Sequence, residues 1–272
     1  MAMKDITLGQ YFPGDTIVHR LDPRTKILFT VCYIVALFMA KDYVSYGVTL
    51  GVLVLCVALS KIKVKVLLRS MRAVIFIVIV TALLNLFYTR GAPGEAPLFS
   101  WWIFTVYPAG VKAAAFMILR ILMLISCTFL LTYTTSPILI TDGLERLLSP
   151  LKKIKIPVHE LAMMMSIALR FIPTLIEETD KIMSAQKARG ASFDTGNLIQ
   201  RAKALVPLLV PLFISAFRRA DELAVAMECR CYHGGQGRTR LRQLKFAAID
   251  HAALAWGLAL CFIVWALARY GL

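Results

Sequence analysis

Two arginines, Arg189 and Arg230, lie forty-one residues apart, and each follows a charged stretch and stands between two small side chains. We call Ala188-Arg189-Gly190 the first arginine motif and Cys229-Arg230-Cys231 the second. A guanidinium is permanently charged and offers a planar fork of donors to a carboxylate or to the carbonyls at a helix end. The small neighbours let another surface approach closely. Each motif could therefore insert into an acidic groove on another protein, or each arginine could only favour its own helix C-terminus.

The sequence around the two motifs forms a weak repeat. An uncharged apolar run precedes each motif, at 161–169 and 204–217, and each run is too short to cross a bilayer. Aligning the two arginines also pairs residues of similar type: Thr174 with Ser215, Asp180 with Asp221, and Ala185 with Ala226. We therefore predict two long helices that are apolar where they begin and charged where they end. Three prolines inside these helices should bend them: Pro173, Pro207 and Pro211.

Other residues with reactive side chains give weaker signals. Cys229, Cys231 and His233 could ligate a soft metal ion, but Cys-x-Cys-x-His without a fourth ligand is a poor pattern for such a site. The glycine-rich stretch 234–239 lacks the residue order of a phosphate loop. The 16 acidic residues and four histidines form no cluster along the chain. We therefore expect no catalytic residue, no metal site and no cofactor bound by this chain.

Arg120 lies inside a long apolar stretch, where an unpaired charge costs about 3 kcal/mol or more. It must face protein or water. It could contact a partner subunit or a cargo path, or it could pair with Asn85 or with a carbonyl inside the helix bundle. The sequence leaves both possibilities open.

Asp22-Pro23-Arg24 has the residue order of a helix start, because proline favours the first helical position. The three residues could simply begin the first membrane helix. They could also pack against the segment that contains the arginine motifs.

The bilayer is the solvent of this chain, since 59% of its residues are apolar, 17% are charged, and its mean hydropathy is +0.71. A membrane helix needs roughly 20 mostly apolar residues. Five stretches come near this length: 27–40, 43–60, 73–88, 107–134 and 252–268. The first is the weakest, because Lys26 and Lys41 bracket it closely. We predict an all-α polytopic membrane protein with about five transmembrane helices.

Lysine and arginine positions predict the orientation, because cytoplasmic loops retain these residues. With the N-terminus inside, the cytoplasmic segments 1–26, 61–72 and 135–246 hold 26 of the 31 lysines and arginines. The net charge of +15 follows mostly from this bias, and no nucleic-acid-binding pattern accompanies it, so we expect no nucleic-acid partner. The first 26 residues are polar, so we expect no cleavable signal peptide.

The motifs resemble those of a known family. Gly9-Gln10-Tyr11, the following segment 19–26 (HRLDPRTK), and the two arginine motifs occur in this order among four apolar stretches and a last one. In this respect the chain is similar to the transmembrane, or T, component of energy-coupling factor transporters. These are ABC-type importers that take up vitamins and transition-metal ions in prokaryotes. The resemblance covers nearly the whole chain.

The resemblance implies a mechanical role rather than a catalytic one. In that family the cytoplasmic coupling helices form a crossed scaffold, and two arginine motifs dock into grooves on two ABC ATPase subunits, which bind ATP and Mg. The scaffold also holds a small membrane-embedded substrate-binding subunit, the S component, and passes the motion of the ATPases to it. By this resemblance the docking residues here are Ala188, Arg189, Gly190, Cys229, Arg230 and Cys231. Scaffold or subunit contacts could come from Asp22, Pro23, Arg24 and Arg120.

The resemblance also implies a domain order and a location. Residues 1–134 would hold the N-terminal tail and four transmembrane helices, 135–246 the coupling helices, and 247–272 the last transmembrane helix, in a prokaryotic cytoplasmic membrane. Cysteines replace alanine and glycine in the second motif, so which ATPase of a homodimer or heterodimer takes which arginine stays open. The cargo and the number of S components served are not encoded in this chain.

A stand-alone secondary transporter and a membrane enzyme are the alternative functions. A secondary transporter would need polar residues along several spans, and here the spans are nearly bare apart from Arg120 and Asn85. An enzyme would need clustered acids or histidines at a membrane face. Co-purification would separate these classes, because only a scaffold should retain ATPase subunits in detergent.

Overall fold

A computed structural model describes residues 11–89, 99–101, 104–191, 193, 197–234 and 244–270. Gly9, Gln10 and residues 235–239 of the glycine-rich stretch lie outside the described residues. The chain divides into two compact units. We call Tyr11–Gly143 with Leu244–Leu272 the bundle unit, and Leu144–Gln243 the long-helix unit.

The described part of the bundle unit is helical apart from one pair of short strands. Its strands β1 and β2 pair antiparallel, with Phe99 opposite Val106. Its elements are α1 (Ile17–Arg20), α2 (Pro23–Met39), α3 (Tyr43–Ser60), α4 (Val64–Met71), α5 (Ile75–Tyr88), β1 (Phe99–Trp101), β2 (Phe104–Val106), α6 (Pro108–Thr134), the first part of α7 (Pro137–Leu147), and α10 (Ala248–Tyr270).

The long-helix unit contains the end of α7, a 3-10 helix (Ser149–Ile154), and the helices α8 (Val158–Ala188) and α9 (Leu198–Glu228). Helices α8 and α9 have 31 residues each, which confirms the prediction of two long helices. Each ends directly before or within an arginine motif. The three prolines lie inside these helices, as the sequence indicated.

Four described helices are long and apolar enough to cross a membrane: α3, α6, α8 and α10. A fifth span is possible if α4 and α5, which meet at a bend of 63°, form one broken crossing. The all-α polytopic class is therefore confirmed, as are the predicted spans at α3, α6 and α10. The stretch 73–88 appears as the 14-residue α5 after the bend, and 27–40 lies almost entirely within the 17-residue α2.

Helix α8 meets the length and composition of a span, although the sequence indicated an interfacial or cytoplasmic helix there. The sequence reading counted only its apolar start, 161–169, and stopped at Arg170. No charged residue stands between Arg170 and Glu177, so the helical window is more apolar than that short run suggests. Length and composition alone admit both placements.

Close backbone approach holds the bundle unit together, as expected where lipid supplies no hydrophobic drive. Buried side chains of α2, α3, α6 and α10 form its core, including Tyr33, Leu37, Met123 and Val264. At Gly110 of α6 an added Cβ would lie 2.8 Å from the Leu86 carbonyl oxygen of α5. Only glycine allows these two helices to approach so closely.

Candidate functional site

Helices α8 and α9 pack antiparallel, as three contacts in opposite sequence order show. Gln186 Nε2 donates to the Pro207 carbonyl at 3.4 Å. Glu178 accepts a 2.5 Å hydrogen bond from Ser215 Oγ and a 3.0 Å bond from Arg219 Nη2. As positions fall along α8 they rise along α9. We call Glu178, Ser215 and Arg219 the polar clasp.

Antiparallel packing places the two arginine motifs on opposite sides of the polar clasp. Arg189 lies eleven residues beyond Glu178, and Arg230 lies fifteen residues beyond Ser215. At 1.5 Å per residue these are roughly 16 Å and roughly 22 Å along the two helices. The two motifs are therefore well separated. Two arginines that bind the same groove would have to lie close together.

Both helices end in a Schellman motif with the arginine at the capping position. In α8 the Gly190 N–H donates to the Lys187 carbonyl, and Ala191 N–H donates to Gln186, each at 3.0 Å. In α9 the Cys231 N–H donates to Glu228 at 2.8 Å, and Tyr232 N–H donates to Met227 at 3.1 Å. These are the 5→2 and 6→1 bonds of that motif. Residues forty-one positions apart at the two helix ends therefore have equivalent backbone geometry.

The residue after each arginine adopts a left-handed conformation, with φ of 89° at Gly190 and 55° at Cys231. Sequence reasoning treated these residues as small flanks. Their backbone conformation is what reverses the chain and leaves the preceding arginine at the helix tip. A glycine just after a charged helix is a sequence signal for this cap, whereas cysteine gives none.

All six residues of the two motifs are exposed. Within the described residues, neither the Arg189 nor the Arg230 guanidinium has a hydrogen bond or an ion pair. The backbone bonds of each cap already satisfy carbonyls of the last turn, so the side chains are not needed for that purpose. Docking of these arginines stays a prediction, and their accessibility is consistent with it.

The cysteines of the second motif are free thiols on the surface. His233 Nδ1 lies 2.8 Å from the Cys231 carbonyl and must donate to it, because a carbonyl only accepts. Among the residues that the structure describes, no three His, Cys, Asp or Glu side chains are grouped closely enough to hold a metal ion.

Asp22-Pro23-Arg24 begins α2 as the sequence predicted, and it also binds the start of α10. Asp22 caps the helix by accepting from Arg24 N–H at 2.9 Å. The buried Asp250 carboxylate accepts from Asp22 N–H and from Ala247 N–H, each at 2.8 Å. The Arg24 guanidinium donates to the Leu244 carbonyl at 2.9 Å. These residues join α2 to the start of α10, and contacts with other subunits stay a prediction.

Lys26 is a structural residue that sequence reasoning assigned only to the edge of a span. Its ammonium donates to the Thr134 carbonyl at 2.9 Å, to Thr135 Oγ1 at 3.1 Å, and to the His19 carbonyl at 3.2 Å. Thr134 is the last residue of α6, so the lysine caps a helix C-terminus where carbonyls lack partners.

Arg120 of α6 donates from Nη2 to the Ala40 carbonyl at 3.1 Å. Ala40 is the cap residue at the end of α2, so the guanidinium lies where a helix end carries partial negative charge. Its carbon also lies 5.7 Å and 5.8 Å from the ring centroids of Phe38 and Tyr46. Asn85 instead donates to the Thr81 carbonyl of its own helix. Arg120 therefore has a partner inside the bundle, in line with the structural alternative.

Sequence comparisons identify similar proteins over nearly the whole chain. The model of the cobalt transport protein family CbiQ matches residues 14–241. A protein of Clostridium kluyveri is 54% identical over 261 residues, which is 96% of each chain. A protein of Acidaminococcus fermentans is 52% identical over 99% of each chain, and one of Bacillus subtilis is 49% identical over 93% of this chain and 94% of the relative. Each of these three is named energy-coupling factor transporter transmembrane protein EcfT.

Proposed function

Because this chain belongs to the family of energy-coupling factor transporter transmembrane proteins, we propose that it is the scaffold that couples two ATPase subunits to a substrate-binding membrane subunit. As a family member it is a multi-pass, non-catalytic component of a transporter. The finer proposal is that ATP hydrolysis on the partners drives reorientation of the S component and uptake of a vitamin or another micronutrient. ATP and Mg would bind the ATPases and not this chain.

The observation that carries this proposal is the pair of matched helix ends. Arg189 and Arg230 cap antiparallel helices through the same Schellman bonds, are exposed, and are widely separated. A charged, planar donor group at a narrow helix tip suits an acidic groove. Two such tips on opposite sides of one contact suit two separate soluble subunits. We therefore assign one ATPase subunit to each arginine motif.

The polar clasp supports a mechanical coupling between the tips. Glu178 of α8 binds both Ser215 and Arg219 of α9, and the Arg219 guanidinium lies 5.8 Å from the Phe171 ring centroid. When the ATPases close, the docked helix ends would move with them. A pair of helices fixed together in this way would transmit the motion as a rigid lever, and such a lever needs no reactive residue.

An exposed apolar stripe on α9 supports a contact with the membrane-embedded partner. Seven large apolar side chains of α9 are 42–69% exposed. They are Leu205, Val206, Leu209, Val210, Phe213, Ile214 and Phe217. An apolar surface of this size needs lipid or another apolar surface to cover it. We propose that the membrane-embedded S component packs against this stripe.

We infer the orientation from the positive-inside bias, which would place the N-terminus and the arginine motifs in the cytoplasm of a prokaryotic cell. Soluble ATPases are on that side. The coupling segment would extend over 135–246, between membrane segments 1–134 and 247–272. The apolar start of α8 would lie at or in the membrane.

Charge reversal at the tips tests the proposal. Arg189→Glu, Arg230→Glu and the double variant should each lose ATPase subunits on mild solubilisation and lower substrate uptake, with the double variant inactive. Arg218→Glu is the matched control, because Arg218 is an exposed arginine of α9 outside both motifs. Normal uptake and normal ATPase retention in the double variant, at normal membrane levels, would remove the proposal. A stand-alone transporter or enzyme would retain no ATPase subunit even in the unmodified protein.

A further inference from the structure

Two cavities of the bundle unit share wall segments. The first, which we call the slot, has a volume of about 310 Å³ and lies among the first turns of α2 and α10 and the last turns of α3 and α6. The second, which we call the cup, has a volume of about 410 Å³ and lies at the loop after α3. Val18 lines the slot and His19 the cup, and likewise Leu59 and Ser60, so α1 and the end of α3 contribute to the walls of both cavities.

The slot is apolar and opens outward. Its floor includes the buried residues Tyr33 and Leu53, and its rim includes Ile17, Leu59 and Trp256, which are 55%, 41% and 54% exposed. Its volume is at the lower end of ordinary ligand sites, about 300–1,000 Å³. In a membrane the groups available to fill such a slot are lipid acyl chains.

The cup is basic, although apolar atoms make up most of its lining. Lys61 and Lys63 line it, together with Thr16, His19 and Ser60, and none of the described residues that line it is acidic. Lys61 caps α3 in a left-handed conformation, with φ of 53°, and its N–H donates to the Ala58 carbonyl. The nearby Asp15 is already paired with Arg20 at 3.4 Å.

His19 shapes the cup without adding charge to it. Its Nε2–H donates to the Phe12 carbonyl at 3.1 Å, which leaves Nδ1 to accept from Thr16 Oγ1 at 2.6 Å. Burial, the largest cause, lowers the pKa of this imidazole, and the Lys26 ammonium lowers it further. The positive charge of the cup at neutral pH therefore comes from the two lysines.

We propose that slot and cup together bind one anionic phospholipid, with an acyl chain in the slot and the phosphate group at Lys61 and Lys63. A water-soluble anion would leave the apolar slot empty, and a zwitterionic lipid would not use the net charge of the cup. Basic pockets between membrane helices at the cytoplasmic face suit acidic head groups.

The test is native mass spectrometry of the delipidated full-length protein titrated with phosphatidylglycerol or phosphatidylcholine of the same chain length. We expect preferential binding of one phosphatidylglycerol. Lys61→Gln and Lys63→Gln each remove one positive charge, and each should weaken that binding about fivefold. Lys65→Gln is the control, because Lys65 is exposed on the same segment but lines neither cavity. Equal binding of both lipids, or equal effects of all three variants, would overturn the proposal.

Filling the slot tests the acyl chain separately. Ala253→Trp should abolish one-to-one binding, whereas Ala259→Trp, on the same helix but outside the slot, should not. Because the larger variant could misfold, the lysine variants above stand independently of it. Millimolar inorganic phosphate could occupy the cup while lipid binding in the slot stays unchanged. That result would mean that the cup takes a free anion, which also contradicts the proposal.

Discussion

Gly190 and Cys231 occupy equivalent positions in two different helix ends, each directly after an arginine and each with a positive φ. An added Cβ at Gly190 would meet nothing within 4 Å, so backbone conformation alone decides what can stand there. A non-glycine residue in the left-handed region costs about 1–2 kcal/mol. Cys231 therefore carries a strain that Gly190 does not.

The first prediction follows from that difference. Cys231→Gly should stabilise the end of α9 by about 1 kcal/mol, and Gly190→Ala should destabilise the end of α8 by a similar amount. Amide hydrogen exchange of the last helical turns measures both effects. Gly47→Ala is the control, because Gly47 lies in a helix with open space around it and should tolerate alanine. Equal protection of all variants would contradict the equivalence of the two caps.

Local signals in the sequence predicted the helix ends, whereas the contacts between helices could not be read from it. The arginine spacing and the glycine after Arg189 indicate where α8 and α9 end, because helix caps depend on a few consecutive residues. The bond between Asp22 and Asp250 joins residues 228 positions apart. No local pattern marks such a pair. For the same reason Glu178 was not recognised as the centre of the α8–α9 contact.

Arg120 shows what a physical constraint can and cannot predict. The cost of a charge in the bilayer required a partner, and a carbonyl in the bundle was one of the alternatives. The carbonyl of Ala40 is available only because α2 ends there and leaves its last oxygens without helical partners. The sequence alone did not predict that the end of α2 lies beside the middle of α6.

The second prediction concerns Asp250, a residue that is 2% exposed. Its carboxylate accepts hydrogen bonds from two backbone N–H groups. Asp250→Ala leaves the N–H groups of Asp22 and Ala247 without this acceptor. The Asp22 donor is buried, and an unsatisfied buried donor costs about 1–3 kcal/mol, so the free energy of unfolding should fall by about 1–3 kcal/mol. Thermal unfolding in detergent measures the loss. Asp42→Ala is the control, because Asp42 precedes α3 without a side-chain capping bond, and a comparable loss there would contradict the assignment.

The third prediction separates the two roles considered for Arg120. Arg120→Met removes the donor to Ala40 and should lower the free energy of unfolding by about 1–3 kcal/mol, because that carbonyl is left unpaired in a buried position. Lys112→Met is the control: the Lys112 ammonium lies 4.9 Å from the Tyr43 ring centroid, and its loss should cost less. If Arg120→Met keeps full stability and assembly but loses uptake, the residue serves a partner or cargo instead.

The fourth prediction concerns the polar clasp and distinguishes transmission from docking. Glu178→Ala removes the acceptor for Ser215 and Arg219 but leaves both arginine motifs intact. The ion pair is about 30% exposed and contributes only about 0.2–1 kcal/mol to stability, so the protein should fold and retain its ATPase subunits. Uptake per ATP hydrolysed should nevertheless fall several-fold, because the tips would move with less constraint on each other.

The control for the clasp is Glu222→Ala, an exposed acid of α9. A double-mutant cycle of Glu178→Ala with Arg219→Ala should show that the two losses of uptake are not additive, since both remove the same contact. Loss of ATPase subunits from Glu178→Ala would assign the clasp to docking. Unchanged uptake per ATP in the double variant would mean that the helices transmit motion without this contact, and the stiffness of the pair would then have to come from the apolar packing around Leu208.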